Sequence, residues 1–425
     1  MKLFQPKLLT ALKGYKSSDY ISDIIAGVIV AIIALPLSIA LAIASGATPE
    51  RGLFTAIIAG FITALLGGSR VNVTGPTAAF ATIVSGIILT EGLDGLFLAT
   101  IMAGLILILM GVLRVGSLIK YIPHTITIGF TSGIAVTLVV GQLKDFLGLV
   151  YPKGTNAIET TEKLALVIKN ISSFNPWALA VGVLGLAILI FWPKVSKKIP
   201  GSLIAVIIGS LVCLIPLISA NTIGSLYTIS SSLPSFKLPE ITGARILALL
   251  PSAFTIALLA GIESLLSCVV SDKMINDKHN SSTELIALGT SNVLVGFFGG
   301  IPATGAIART AANVKNGGKS PLSAMVHAVV LLLVLVLLMP LASYVPMPII
   351  SAILFIVAYN MSEWREFVAV IKTKKWNDIL VLLLTFSLTV IFDLVKAIAV
   401  GLIVHYVIVF IKWLIAKHKL KNQAK

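Results

Sequence analysis

Stretches of about 20 residues without Lys, Arg, Asp or Glu follow one another along this chain, separated by short charged clusters. Crossing the ~30 Å hydrocarbon core of a bilayer takes about 20 apolar helical residues, so each stretch is a candidate span. In the first half they run Ile24–Pro49, Gly52–Ser69, Val71–Thr90, Gly95–Leu113, Tyr121–Leu143, Pro176–Pro193 and Ile199–Phe236. The second half has Ile246–Ser271 (interrupted by Glu263), Leu285–Ala308, Ser320–Ser362, Ile379–Phe392 and Ala397–Ile411. Ser320–Ser362 is long enough for two crossings, broken near Pro340, Pro346 and Pro348, and Leu285–Ala308 is divided by Gly299-Gly300-Ile301-Pro302. Counting each part gives fourteen segments. The pattern predicts an all-α polytopic membrane protein.

Composition agrees. Of 425 residues, 57% are hydrophobic and 12% charged, about half the charged fraction of a soluble domain. That excludes a disordered chain and an ordinary cytosolic enzyme. The net charge of +15 does not make this a nucleic-acid-binding globule, because there is too little polar surface to coat one. It has a simpler source in the positive-inside rule. With the N-terminus inside, Arg70, Arg114, Lys120, Lys194, Lys197, Lys198, Lys273, Lys278, Lys315, Lys319, Arg365, Lys372, Lys374, Lys375 and the tail lysines up to Lys425 fall on the cytoplasmic side. Both termini are then cytoplasmic in the cell membrane, as an even span number requires. The first residues are basic and lack a signal peptide's apolar stretch and cleavage site. Cys213 and Cys268 lie far apart in apolar runs and are expected to be packing residues rather than a disulfide or metal pair.

Two segments are too short and too broken for ordinary spans. One surrounds Asn72-Val73-Thr74-Gly75-Pro76-Thr77-Ala78-Ala79-Phe80, the other Gly299-Gly300-Ile301-Pro302-Ala303-Thr304-Gly305-Ala306-Ile307-Ala308-Arg309. They occupy the third and tenth places, so they imply two sevenfold halves, the second inverted because seven is odd. Paired Gly/Pro-interrupted segments in corresponding positions mark a transporter's binding site. Irregular backbone at membrane depth survives where it is buried or lines a cavity.

Half-helices starting near Pro76 and Gly305 are expected to aim their N-termini at a common centre. A helix N-terminus offers unpaired N–H donors and about half a positive charge, which suits an anion. Arg309 adds a full charge, and the small residues Ala78, Ala79, Ala306 and Ala308 let an anion approach the backbone. An intramembrane Arg is costly and is read as functional; the other reading is an interfacial Arg that snorkels toward Lys315. Glu263 is the second outlier. Burial and nearby cations act on a carboxylate's proton in opposite directions, so Glu263 can carry a proton or ligate a cation, with Ser264 and Ser267 as further oxygens. Its other reading is a structural partner for Arg309. His124 and His327 are expected to be satisfied core or loop histidines, Asp23 and Asp272 to lie at the cytoplasmic interface, and Asp393 at the outer one. No HExxH, GxSxG, CxxC or P-loop pattern falls where it would matter, and no enzyme is expected.

At these residues the sequence resembles the SulP anion transporter family, known in animals as solute carrier family 26, from Asp23 to about Ile411. The resemblance is strongest in ALPLSIALAIASGATPERGLFTAIIAG, LLGGSRVNVTGPTAAF, IESLLSCVVSDKM and GGIPATGAIARTAANVKNGGKSPLSA. It implies a core domain (residues 23–120 and 246–343) and a gate domain (121–245 and 344–413), between an N-terminal tail (1–22) and a basic tail (414–425). It also implies elevator-like movement and a homodimer. Carried over by motif, the anion site is Thr77, Ala78, Ala306, Ile307 and Ala308, with Leu37 and Leu41 closing its apolar side, Arg309 behind it, and Glu263 and Ser267 at the coupling position.

Three departures matter. Many relatives have Gln where this chain has Leu37. Sodium-coupled bicarbonate relatives read Asp, Thr and Thr where this chain has Glu263, Ser267 and Ile307, which favours a proton over sodium as the coupling ion. The family usually continues into a cytosolic STAS domain, so this sequence is expected to be either a natural short form or part of a longer chain. The expected function is secondary active transport of a small anion (sulfate, bicarbonate, chloride or a small carboxylate), proton-coupled and without a cofactor. Open alternatives are a sodium symporter, an uncoupled exchanger or channel, and a nucleobase permease of the same fold.

Overall fold

The computed structural model describes residues 4–116, 123–152, 155, 157–196, 199–392 and 394–423. Lys120, Lys153, Lys197, Lys198, Asp393, Lys425 and the expected domain edge at 120/121 lie outside the described residues.

A short helix α1 (Leu8–Ala11) precedes α2 (Ser17–Ala44) and α3 (Pro49–Leu66). Thr48 caps α3 with extended backbone and Pro49 fills its first turn, where a missing N–H costs nothing. A two-residue strand β1 (Thr74–Gly75) and one 3-10 turn (Ala78–Phe80) lead into α4 (Ala81–Val112). The charged cluster expected to separate the third and fourth segments is a break inside α4, where Gly92 takes φ 71° and ψ −175°. That conformation is open to glycine because it has no Cβ.

Next come α5 (His124–Phe146), α6 (Thr160–Lys169), α7 (Pro176–Val195), α8 (Gly201–Val212) and the single turn α9 (Ile223–Leu226). The run Ile199–Phe236 was expected as one span, but only Gly201–Val212 is a long helix within it. The chain after α9 has no regular secondary structure up to Ile241 and is pinned to its neighbours. The Lys237 amide donates to the Phe297 carbonyl at 2.7 Å, and the Phe236 ring stacks on Phe297 with centroids 5.3 Å apart. Apolar composition alone does not distinguish such a strap from a helix.

The second half contains α10 (Gly243–Ile275), α11 (Ser281–Phe297), β2 (Thr304–Gly305), α12 (Ile307–Lys315) and α13 (Pro321–Leu338). A 3-10 stretch (Met339–Tyr344) then separates α13 from α14 (Met347–Met361), the break expected from the prolines. The amphipathic α15 (Trp364–Lys372), α16 (Trp376–Ile391) and α17 (Leu394–Gln423) complete the chain. Among the described residues, eight helices are long and apolar enough to cross a membrane, and three shorter apolar helices accompany them.

Two groups of helices pack closely. α4 packs on α10 and α11, while α13 packs on α2 and α3; α5 packs on α14 and α16, and α14 on α7. β1 and β2 pair antiparallel, Thr74 opposite Gly305 and Gly75 opposite Thr304, and the Ala306 amide extends the ladder to the Val73 carbonyl at 2.9 Å. The two broken segments thus satisfy each other's backbone in the apolar interior, as they must.

Asp23, expected at the cytoplasmic interface, is fully buried within the protein. It accepts from the Tyr15 hydroxyl and the Ser320 hydroxyl at 2.5 Å each and from the Lys319 amide at 2.7 Å, which joins the start of α2 to the start of α13. Burial, then the neighbouring Asp23 carboxylate, pushes the Tyr15 hydroxyl's pKa up. Cys268 is buried and Cys213 half-buried.

Candidate functional site

Because β1 and β2 are paired, the two helices that follow them start side by side. Thr77 stands before the 3-10 turn of α4 and Ala306 before α12; neither helix start is capped by a side chain. The first N–H groups of any helix lack intrahelical partners, so both starts present donors to whatever lies in front of them. In front of them is a cavity of about 360 Å³. Thr77, Ala78, Ala306, Ile307, Ala308, Arg309, Leu37, Leu41 and Glu263 all line it. The tenth candidate, Ser267, is not among its lining residues.

Arg309, on the first turn of α12, is 1% exposed. Its Nη2 donates to the Pro76 carbonyl at 2.9 Å and reaches Ser38 Oγ at 3.5 Å, while Nε and Nη1 have no protein partner. Among the described residues no carboxylate lies within ion-pair distance of it. This buried guanidinium does not snorkel to an interface, and Glu263 does not neutralise it directly. A cation held at a cavity wall without a counter-ion suits an incoming anion.

Glu263 faces the helix starts from α10 and is only half-buried because it opens onto the cavity. Its Oε2 accepts from the Thr77 hydroxyl at 3.0 Å. The hydroxyl that could have capped α4 is thereby turned to the carboxylate.

Behind this surface lies a polar cluster that sequence reasoning did not single out. Asn72 is its hub: Oδ1 accepts from Ser267 Oγ at 2.7 Å and Thr310 Oγ1 at 2.9 Å, and Nδ2 donates to Glu284 Oε1 at 2.7 Å. Oε2 of the buried Glu284 accepts from the Gly68 and Ser69 amides at 2.9 and 3.1 Å. Ser267 therefore ties α10 to both broken segments. Close packing of this cluster needs glycine at 305, where a Cβ would lie 2.7 Å from Asn72 Nδ2 and 2.8 Å from Ser264 Oγ. His327 is also unlike its expectation. It is fully buried on α13, yet neither ring nitrogen has a protein partner.

The opposite wall was missed as well. Thr127, Phe130 and Thr131 of α5, Val357, Asn360 and Met361 of α14, and Glu363 also line the cavity. None of them interrupts an apolar pattern or falls in a Gly/Pro break, so only the tertiary fold brings them to the site.

Residues 20–385 match the model of the sulfate permease family. The chain is 43% identical over 417 residues to the "Putative sulfate transporter YvdB" of Bacillus subtilis (strain 168), covering 97% of this chain and 77% of that protein. It is 32% identical over 368 residues to the "Bicarbonate transporter BicA" of Synechocystis sp. (strain ATCC 27184 / PCC 6803 / Kazusa), covering 85% of this chain and 64% of that one. Among solved structures, the transmembrane domain of a cyanobacterium bicarbonate transporter BicA superposes with a TM-score of 0.82 at 30% identity, over 90% of this chain and 98% of that one. The murine Solute Carrier 26 family member A9 anion transporter in the inward-facing state gives 0.88 at 19% identity, over 96% and 71%, a likeness of fold.

Proposed function

The chain belongs to the sulfate permease family, a family of transporters rather than enzymes, and from that premise we propose that it is a secondary active transporter of a small anion. The observation that carries this reading is the β1–β2 pairing. It sets two uncapped helix starts and the unpaired Arg309 around one cavity, with Glu263 on the wall beside them. The anion binds to the main-chain donors of Ala78, Ile307 and Ala308, steadied by the charge of Arg309, while Ala306, whose own amide is held by Val73, sets the start of α12 in place. Thr77 holds Glu263 in place, and Leu37 and Leu41 close the apolar side. Sulfate, bicarbonate, chloride and small carboxylates are the candidate cargoes.

Glu263 is the coupling group. A negative cargo beside an ionised carboxylate is disfavoured, so loading goes with a proton on Glu263 and release with its loss. The lining supports a proton over sodium. Ile307 offers no oxygen, and the Ser267 hydroxyl is already taken up by Asn72 and Thr310. The wider reading comprises fourteen segments in two inverted repeats, with a core domain around α2–α4 and α10–α13 sliding as an elevator against a gate around α5–α8, α14, α16 and α17. Both termini are cytoplasmic in the cell membrane, and the protein works as a homodimer. The packing of α4 on α10 and α11, and of α5 on α14 and α16, supports that division.

The test is transport by purified protein in liposomes under an imposed pH or sodium gradient. Accumulation of a labelled anion with a pH gradient alone is expected. If neither gradient moves sulfate, bicarbonate, chloride or a carboxylate, the reading fails.

A further inference from the structure

The cavity has three properties that a small inorganic anion leaves unused. The first is its size. At about 30 Å³ per water, 360 Å³ holds on the order of ten waters, several times the space of one such anion. The second is its apolar wall. Leu37 and Leu41 from α2, Phe130 from α5, Val357 from α14 and Ile307 from α12 all line the space in front of the helix starts. Ile307 stands 41% exposed although it lies on the site's first helical turn. A strongly hydrated ion moved against such walls gives up water without a replacement partner.

The third property is charge. Besides Glu263, the exposed Glu363 lines the cavity from the α14–α15 connection, where it holds φ 46° and ψ 33°. A residue with a side chain adopts that left-handed region only at a cost. Arg309 is the only basic residue among the described lining residues. With Glu263 protonated for loading, Arg309 and Glu363 offset each other, so the lining side chains supply no net positive charge to balance a dianion.

We propose that the cargo is a singly charged carboxylate with a short apolar tail. Its head group sits at the starts of α4 and α12, within the field of the unpartnered Arg309 nitrogens. Its tail lies along Leu37, Leu41, Ile307, Phe130 and Val357. This rests on the transporter reading above and narrows its cargo.

The test uses the purified full chain and a homologous series of sodium formate, acetate, propionate and butyrate, set against sulfate, bicarbonate and chloride, with uncharged butyramide as control. Binding is read by thermal stabilisation and transport by competition for uptake into liposomes. Affinity is expected to rise about fourfold per methylene, the equivalent of about 0.8 kcal/mol, until the cavity is filled. Butyramide is expected to give no shift, and Ile307→Thr to flatten the series. A flat or falling series, with sulfate or bicarbonate binding tighter than every carboxylate, overturns the proposal and leaves the transporter reading intact. If no anion of either kind binds or moves, both fail.

Discussion

Gly75 and Arg309 occupy adjoining space that leaves no room for a side chain on the glycine: a Cβ built there would lie 2.0 Å from Arg309 Nη1. The pairing of β1 with β2 forces this closeness, because it sets the backbone at Gly75 against the start of α12. Overfilling a packed interior costs about 1–3 kcal/mol, and here the group that must move is the cation behind the proposed anion site. Gly75→Ala is expected to reduce anion uptake by about tenfold or more. In an Arg309→Ala background the same change should cost much less, because the clash is gone. Uptake measured across the four proteins as a double-mutant cycle checks this; additive losses would count against it.

Glu263→Gln keeps the shape of the side chain and a hydrogen-bond partner for Thr77, but it cannot take up and release a proton. Accumulation driven by a pH gradient is expected to disappear in this variant, while exchange of labelled for unlabelled anion across equal solutions persists. Proteoliposome flux measures both. Undiminished gradient-driven uptake would remove Glu263 from the coupling role and leave Arg309 and the helix starts as the site.

The broken segments were legible in the sequence because Gly-Pro and Gly-Gly-Ile-Pro each interrupt an apolar run and both are followed by Thr or Ala and small residues. Arg309 and Glu263 were legible because a charge inside an apolar run stands out. Glu284 was not, although it is as buried as Arg309. A span counted from its first uncharged residue, Leu285, leaves that carboxylate outside by construction. Thr127, Asn360 and Glu363 were hidden for another reason: they reach the cavity from α5 and from the end of α14, and only long-range packing brings them there. The run at Ile199–Phe236 shows the reverse error. Its hydrophobicity reflects a strap lying on apolar neighbours as much as a helix crossing lipid.

Ser267 separates the structural cluster from the transport chemistry. Its hydroxyl donates to Asn72 Oδ1 and contacts Thr310 Oγ1 at 3.0 Å, all within buried surroundings. Ser267→Ala leaves Asn72 Oδ1 with its Thr310 bond and should cost about 1 kcal/mol of stability. Asn72→Ala strips partners from Ser267, Thr310 and Glu284 together and should cost about 2–5 kcal/mol, the range for breaking a buried polar network. Thermal unfolding of the two variants gives the ranking. In proton-driven uptake Ser267→Ala should retain coupling to pH; loss of that coupling would return Ser267 to the coupling site.

Glu284 faces hydrogen-bond donors from each of its polar neighbours: the Gly68 and Ser69 amides on Oε2, and Asn72 Nδ2 with the more distant Ser264 hydroxyl (3.4 Å) on Oε1. An ionised carboxylate only accepts, whereas a glutamine side chain must place two N–H donors on one side. In Glu284→Gln that amine meets either the two backbone amides or the Asn72 amide. Asn72 can rotate to offer its oxygen, but then it abandons Ser267 and Thr310. The variant is therefore expected to lose about 1–3 kcal/mol despite its matched shape. Combining it with Asn72→Asp, which supplies an acceptor on the facing side, should recover part of the loss. Thermal unfolding of the single and double variants decides the point, and a Glu284→Gln protein as stable as the parent would count against a side chain that accepts from all four of these neighbours.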